Sequence, residues 1–251
     1  MIVSPGGFSM IRVTIWNEDH SGNNEVLAAH PGDVHGTLRE LLAADDVEVR
    51  TVVQREGVTD MPDELLNSTD VLIWWSHIMH DKVDDAFADK VVARVQSGMG
   101  AIFLHSSHLA KPFRRLMGTG CTLKWREINE RERLWVIDKT HPITRGLPEC
   151  IVIPHEEMYG EEFQIPTPDE LLMIGWFQGG EVFRSGITYR RGRGKVFYFQ
   201  PGHETNGTYH IPEVQTILRN AVRWACPEEY AQYCCPCVPN AEKVLTEENE
   251  K

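Results

Sequence analysis

The chain alternates between short apolar runs and amphipathic stretches. Ile11–Trp16 alternates, is rich in β-branched residues and runs into the polar segment Asn17–His20, the pattern of a strand feeding a loop. Val34, Leu38, Leu41 and Leu42 follow at helical spacing, with Asp33 placed as N-cap. Val47–Val53 reads as a second strand. Strand, helix and strand in that order predict a parallel pair with a right-handed crossover. The unit then recurs. Val71–Trp75 and Ala101–Leu104 are continuous apolar runs, as strands are when helices cover both faces of a sheet. Between them Val83, Phe87, Val91, Val92 and Val95 form a helical stripe closed by Gly98. A short helix is expected through Met117.

The second half reads differently. Cys121–Asp138 alternates charged and apolar residues, which predicts an antiparallel pair appended to the main sheet. Ile151–Ile153 is a short strand. Leu171–Phe177 and Val182–Arg190 form a hairpin around Gly179 and Gly180. Arg191–Gly194 is the turn into a strand over Lys195–Phe199. A final helix begins near Pro212, buries Val214, Ile217, Leu218, Ala221, Val222 and Ala225, and stops before Pro227. These elements predict a single α/β domain over residues 10–226. Residues 1–9 are expected as a disordered extension and residues 227–251 as a Cys-containing tail.

The length of 251 residues and the 41% hydrophobic content suit one globular domain. No apolar run approaches the roughly 20 residues that span a bilayer. The N-terminus lacks the basic region and apolar core of a signal peptide, so a cytoplasmic location is expected. The net charge of −12 repels phosphate backbones and anionic lipid surfaces. Neither nucleic acid nor membrane is therefore an expected partner; a small molecule is, and a homo-oligomer is the default assembly. Gly192-Arg193-Gly194 precedes a strand where a dinucleotide fingerprint would follow one, and there is no P-loop. No nucleotide cofactor is expected.

In open parallel sheets, ligands bind beyond the carboxyl ends of the strands. The residues there are Asn17, Glu18, Asp19 and His20; Ser76, His77 and His80; His105, Ser106, Ser107 and His108; His155, Glu156, Glu157 and Tyr159; and Gln200, His203 and Glu204. With His210 added, eight of the eleven histidines lie at or just beyond such positions. Imidazoles move protons at neutral pH. Together with carboxylates they also hold divalent metals, Zn2+ among them. His77 and His80 have the spacing H-x-x-H. Trp16 and Trp176 lie at strand ends, where an indole could stack on a sugar ring; Trp74 reads as core. Ser106 follows a strand and precedes a helix, a conceivable place for a nucleophile, but no oxyanion-hole glycines surround it. Cys226, Cys234, Cys235 and Cys237 crowd together and, without an export signal, read as metal ligands or loop thiols before they read as disulfides; four thiolates so close are candidate ligands of a structural zinc.

Three stretches carry a resemblance: Trp74-Trp75-Ser76-His77, Phe103-Leu104-His105, and Gly192 to His203 followed by the helix Leu218–Ala225. In these the chain resembles the ThuA-like, trehalose-utilisation proteins over roughly residues 10–226. The resemblance implies a class I glutamine amidotransferase-like, flavodoxin-like three-layer sandwich with a mostly parallel sheet and an appended antiparallel hairpin. True amidotransferases place a nucleophilic Cys at the strand–helix turn and a His-x-Glu pair near the end. Here that turn carries His105–His108, and Glu204 directly follows His203. With no thiolate there is no acyl-enzyme, so glutaminase activity is not expected.

The family's association with disaccharide catabolism, alongside a dehydrogenase that makes 3-keto sugars, implies a hydrolase or lyase acting on a 3-keto-disaccharide. A ketone at C3 acidifies the C2 proton. A base removes it, the enediolate is stabilised, and the glycosidic oxygen leaves. On this reading His203 or His105 is the base and Glu157 or Glu204 its partner. His20, His77 and His155 serve as electrophile or metal ligands. Trp16, Asn17, His20, His80, Ser106, Tyr159 and Trp176 contact the sugar. Two other readings stand beside it: a non-catalytic sugar-binding or regulatory module, and a serine hydrolase of a small ester or amide using Ser106.

Overall fold

A computed structural model describes residues 10–230 and residue 237. The strands are β1 (Ile11–Glu18), β2 (Val47–Gln54), β3 (Val71–Trp75), β4 (Gly100–Leu104), β5 (Lys124–Val136), β6 (Cys150–Gly160), β7 (Glu170–Phe177), β8 (Val182–Arg191) and β9 (Gly194–Phe199). The helices are α1 (Asn24–Ala29), α2 (Asp33–Leu42), α3 (Asp63–Asn67), α4 (Asp85–Ser97), α5 (Lys111–Met117) and α6 (Pro212–Ala225). These nine strands of the described residues form one sheet in the order β2-β1-β3-β4-β9-β8-β7-β5-β6. From β2 to β9 the ladders are parallel; from β9 to β6 they are antiparallel.

The continuous apolar runs are explained by two cores. Trp75, Ile73 and Leu104 point to the side covered by α2 and α6, while Trp74, Leu72 and Phe103 point to the side covered by α4 and α5. Successive strand residues face opposite ways, so a strand covered on both faces must be apolar throughout. The expected α/β sandwich with a parallel core is what the chain forms.

The antiparallel part is larger than the expected hairpin. Cys121–Asp138 does not hold two strands; β5 is one strand of 13 residues. Its alternation breaks at a register shift where Asn129 takes a φ of +55°, a bulge inside one strand rather than a turn between two. The strand expected over Ile151–Ile153 runs on to Gly160 as β6. Pro154 does not end it, because β6 is the edge strand and an edge position needs no N–H for the ladder. Asp33, expected as N-cap, is instead the first residue of α2, after Gly32. Its carboxylate accepts the His20 N–H at 3.0 Å. The short α1, capped by Asn23, has too few apolar residues to register as periodicity. Among the described residues no helix is long and apolar enough to cross a membrane.

The turn between β8 and β9 presses on α4. A methyl group on Gly194 would stand 2.1 Å from the Val95 carbonyl oxygen, a backbone atom. Gly194→Ala is therefore expected to destabilise the fold by roughly 2–3 kcal/mol, measured as a lowered denaturant midpoint at unchanged slope.

Candidate active site

The parallel strands deliver their side chains to one edge, and two buried carboxylates fix the loops that carry them. Glu18, at the end of β1, accepts the backbone N–H groups of His77, Ile78 and Met79 at 2.8–3.1 Å. Glu156, on β6, accepts from the backbone of Gly202 and His203 and from the Thr208 hydroxyl at 2.8–3.1 Å. The loop after β9 turns sharply at Gly202, whose φ is +132° and where a Cβ would strike the Tyr209 hydroxyl. That turn brings adjacent His203 and Glu204 to 3.7 Å, a proximity an extended segment would not allow.

β6 lies four places from β9 in the sheet order, yet Glu157 reaches His105 at the end of β4. The antiparallel half must curl back over the carboxyl ends of the parallel strands. His105 sits there with a φ of +50°, a left-handed conformation that costs a non-glycine residue of order 1–2 kcal/mol. The strained turn expected for a nucleophile thus carries an imidazole.

Two histidine–carboxylate pairs occupy the edge. In the first, His105 Nδ1–H donates to the Gln200 carbonyl at 2.8 Å and Nε2 faces Glu157 Oε2 at 2.9 Å. Burial opposes a charge on His105. The hydrogen bond and charge of Glu157 outweigh it and push the pKa up to about 9. Burial likewise opposes charge on Glu157, but His105 pulls its pKa below the usual value. Tyr159 stacks on the His105 ring at 4.9 Å, its hydroxyl 3.3 Å from Nε2. In the second pair, His77 Nδ1 meets Glu204 Oε1 at 2.7 Å. Burial works against both charges, but each stabilises the other: His77 is raised and Glu204 is held at about 2. His203 lies between the pairs, edge-on to His105 at 5.4 Å and to His77 at 5.8 Å. Its Nδ1 accepts the Thr205 N–H, which leaves the neutral ring's proton on Nε2. Burial and the neighbouring His105 lower its pKa.

A pocket of about 360 Å³ opens beside these pairs, within the size range of small-molecule sites. Its walls include His77, Glu157, Ser106 and Tyr159. His105 and Glu204 stand behind, the first fully buried and the second nearly so. One pair therefore presents its carboxylate to the pocket and the other its imidazole.

Among the described residues two sets could hold a cation: His20, His77 and Glu204, and His105, Glu157 and His203, each with ligand atoms within 4.8 Å of one another. The first fits better. His20 Nδ1 is 2.8 Å from the Glu18 carbonyl, the outer hydrogen bond that orients a ligating imidazole. Its Nε2 makes no hydrogen bond among the described residues. Glu204 Oε2 is buried without a hydrogen-bond partner. Two imidazoles and a carboxylate are also a donor set of catalytic zinc. In the second set both His105 nitrogens are already engaged.

Several expected contacts lie elsewhere. Trp16 is fully buried, stacks on Trp74 at 5.0 Å and donates to Gln54; its strand-end position points it into the core. Trp176 is exposed on the antiparallel sheet beneath the Arg133 guanidinium, outside the pocket. His155 is exposed, because β6 continues past it instead of ending there. Asn17 is fully buried and donates to the Glu18 carbonyl. His80 turns inward to Ser76 Oγ at 3.0 Å, and burial pushes its pKa down to about 4. Ser106 borders the pocket, but its hydroxyl donates to the Ser76 carbonyl and has no hydrogen bond to a histidine. Cys226 is half-buried and Cys237 exposed, neither in a disulfide among the described residues; Cys234 and Cys235 lie outside the described residues. Trp125, Glu127 and His108 also line the pocket, and Glu127 Oε1 is 3.5 Å from His203 Nε2. Trp125 and Glu127 were hidden in sequence because β5 reads as alternating surface residues.

Comparisons agree with this architecture. The family model of ThuA, described as trehalose utilisation, matches residues 12–225. Among solved structures, a protein described as ThuA-like from Parabacteroides merdae gives a TM-score of 0.70 at 16% identity, covering 90% of this chain and 93% of its own. Another, from Bacteroides uniformis, gives 0.63 at 17% identity, covering 89% and 95%. A glutamine amidotransferase from Thermotoga maritima gives 0.52 at 9% identity, covering 85% and 96%. At these identities the likeness is one of fold. None of the curated proteins compared with the chain matches it.

Removing the Glu18 carboxylate leaves three backbone donors facing a void. Glu18→Ala is expected to cost on the order of 3 kcal/mol. It should also speed amide hydrogen exchange at His77, Ile78 and Met79 ahead of the strands, a pattern that hydrogen-exchange mass spectrometry resolves.

Proposed function

The chain belongs to the ThuA, trehalose-utilisation family, and from that premise we propose that it cleaves a 3-keto-disaccharide by acid–base elimination at the pocket between His77 and Glu157. The observation that carries this reading is the opposite polarity of the two ion pairs. Glu157 offers a carboxylate backed by a buried imidazolium. His77 offers an imidazolium backed by a buried carboxylate. A base and an acid thus face one cavity, each kept in its working protonation state by the group behind it.

The chemistry assigned to each group is specific. Glu157 takes the proton from C2, which the C3 ketone acidifies. The C–H electron pair forms C2=C3, and the negative charge moves to the C3 oxygen. His77 Nε2–H donates to that oxygen, with His203 Nε2–H as a second donor nearby, in the manner of an oxyanion hole. The pair on oxygen then re-forms the ketone, C1=C2 forms, and the bond from C1 to the glycosidic oxygen breaks. The leaving oxygen takes the proton back from Glu157. The products are an enone and the released sugar; water adding at C1, with a proton at C2, completes a net hydrolysis. His105 has both nitrogens committed, so its role is to hold Glu157 ionised rather than to act as base.

A second reading concerns the electrophile. The free Nε2 of His20 and the unpartnered oxygen of Glu204 favour a divalent cation, with zinc the natural choice for this donor set. Bound there, it would polarise the ketone as a Lewis acid. His20 and His77 would hold it with Glu204, and Glu157 would remain the base. A structural zinc on Cys226, Cys234, Cys235 and Cys237 is a separate proposal.

With 3-keto-trehalose as substrate, Glu157→Gln should lower kcat by roughly 10²–10⁴-fold. The rate should rise with pH as Glu157 ionises, below the usual glutamate range, and fall as His77 loses its proton, above the usual histidine range. In Glu204→Gln, burial prevails at His77 and the alkaline limb should move to lower pH. An alkaline limb that stays in place, or a Glu157→Gln variant of full activity, would refute the assignment. Metal content of the purified chain separates the two electrophiles: stoichiometric zinc lost in His20→Ala supports the cation, zinc retained in that variant places it away from His20, on the tail thiols or on His105, Glu157 and His203, and zinc absent from the wild-type chain leaves His77 as the electrophile.

A further inference from the structure

The pocket has a second half that the elimination chemistry does not use. Trp125 lies directly opposite Tyr159 in the β5–β6 ladder, and cross-strand partners project to the same side of a sheet. Tyr159 stacks on His105, so Trp125 is placed one strand away from the reacting groups. Trp125 is 64% exposed and Ile78 is 78% exposed, and both line the pocket that His77 and Glu157 line. Large apolar side chains left open beside a charged cleft mark a ligand surface. By contrast, exposed Trp176 lies beneath the Arg133 guanidinium.

His108 forms the polar side of this half. Its Nδ1 is 2.7 Å from the Cys121 carbonyl, so Nδ1 must carry the proton. Nε2 is then a lone-pair acceptor, and it has no hydrogen-bond partner among the described residues. Burial pushes the ring's pKa down to about 3, and the acceptor stays neutral across the physiological range. A pyranose matches both features: its C–H face is apolar, and its hydroxyls donate.

We infer that Trp125, Ile78 and His108 form a subsite for the leaving pyranose, so that the protein selects ketoglycosides with a sugar aglycone over those with a small alkyl one. The inference rests on the elimination reading for its turnover test but not for its binding test. Trp125 stacks on the apolar face of the leaving ring, Ile78 adds a second apolar wall, and His108 Nε2 accepts a hydrogen bond from one of its hydroxyls.

Two measurements test it on the full-length chain. The first compares kcat/KM for 3-keto-trehalose and for methyl 3-keto-α-glucopyranoside. The wild type should favour the disaccharide by about tenfold or more. Trp125→Ala and His108→Gln should each reduce that ratio, and Trp125→Phe, which keeps a ring face, should retain most of it. A ratio unchanged in Trp125→Ala overturns the inference, as does an equal loss on both substrates. The second measurement is saturation-transfer NMR with free D-glucose, which needs no turnover. Transfer from aromatic protons to glucose should be present in the wild type and lost in Trp125→Ala, a change at an exposed position that leaves the core intact. Transfer unchanged in that variant overturns the subsite. If neither ketoglycoside is turned over while glucose transfer depends on Trp125, the elimination reading fails and the subsite stands.

Discussion

The ion pair between His105 and Glu157 organises the functional end of the molecule. It joins the end of a parallel strand to the middle of the edge strand, two segments far apart in the sheet. The antiparallel half can curl over the parallel half because this contact, the Tyr159 stack and the Gln200 link to Glu157 draw β6 inward. A buried pair of charges is a poor source of net stability. Its value here is positional: it fixes where one carboxylate oxygen faces the pocket.

The same edge holds four further groups whose burial demands partners. Glu18 and Glu156 are each surrounded by backbone donors, and they set the loops that carry His77 and His203. Glu204 is held by His77. His30 is buried between Thr37 and the Asn206 carbonyl, where desolvation lowers its pKa to about 4. Carboxylates tied to the backbone shape the site, whereas those tied to imidazoles are coupled to its protonation. That division separates scaffold from chemistry more sharply than burial does, since all of these groups are nearly inaccessible.

The parallel core was legible because its signal is redundant. Val71–Trp75 and Ala101–Leu104 are apolar at every position, and α4 and α6 carry clean stripes. The antiparallel half was less so: the bulge at Asn129 mimics a turn, and an edge strand tolerates Pro154. In the site, His77, His105, His203 and Glu204 come together because topology sends parallel strand ends to one edge, and Glu157 joins them only through the curl that carries β6 over that edge. Topology does not say which way a strand-end side chain turns. Trp16 and Asn17 turn into the core, His80 turns to Ser76, and His155 turns outward. Nor does it reveal Trp125 and Glu127, which the curl of the sheet carries into the pocket from a strand that reads as surface. Periodicity encodes the faces of elements, whereas curl depends on long-range contacts such as His105–Glu157.

The most direct measurement is the primary isotope effect at C2. Proton abstraction by Glu157 predicts that 3-keto-trehalose deuterated at C2 reacts more slowly than the protiated sugar. It also predicts that the wild-type chain washes a C2 deuteron of 3-keto-glucose into solvent, and that Glu157→Gln abolishes the wash-out. Cleavage with no sensitivity to C2 deuteration, or wash-out undiminished in Glu157→Gln, would contradict proton abstraction by Glu157.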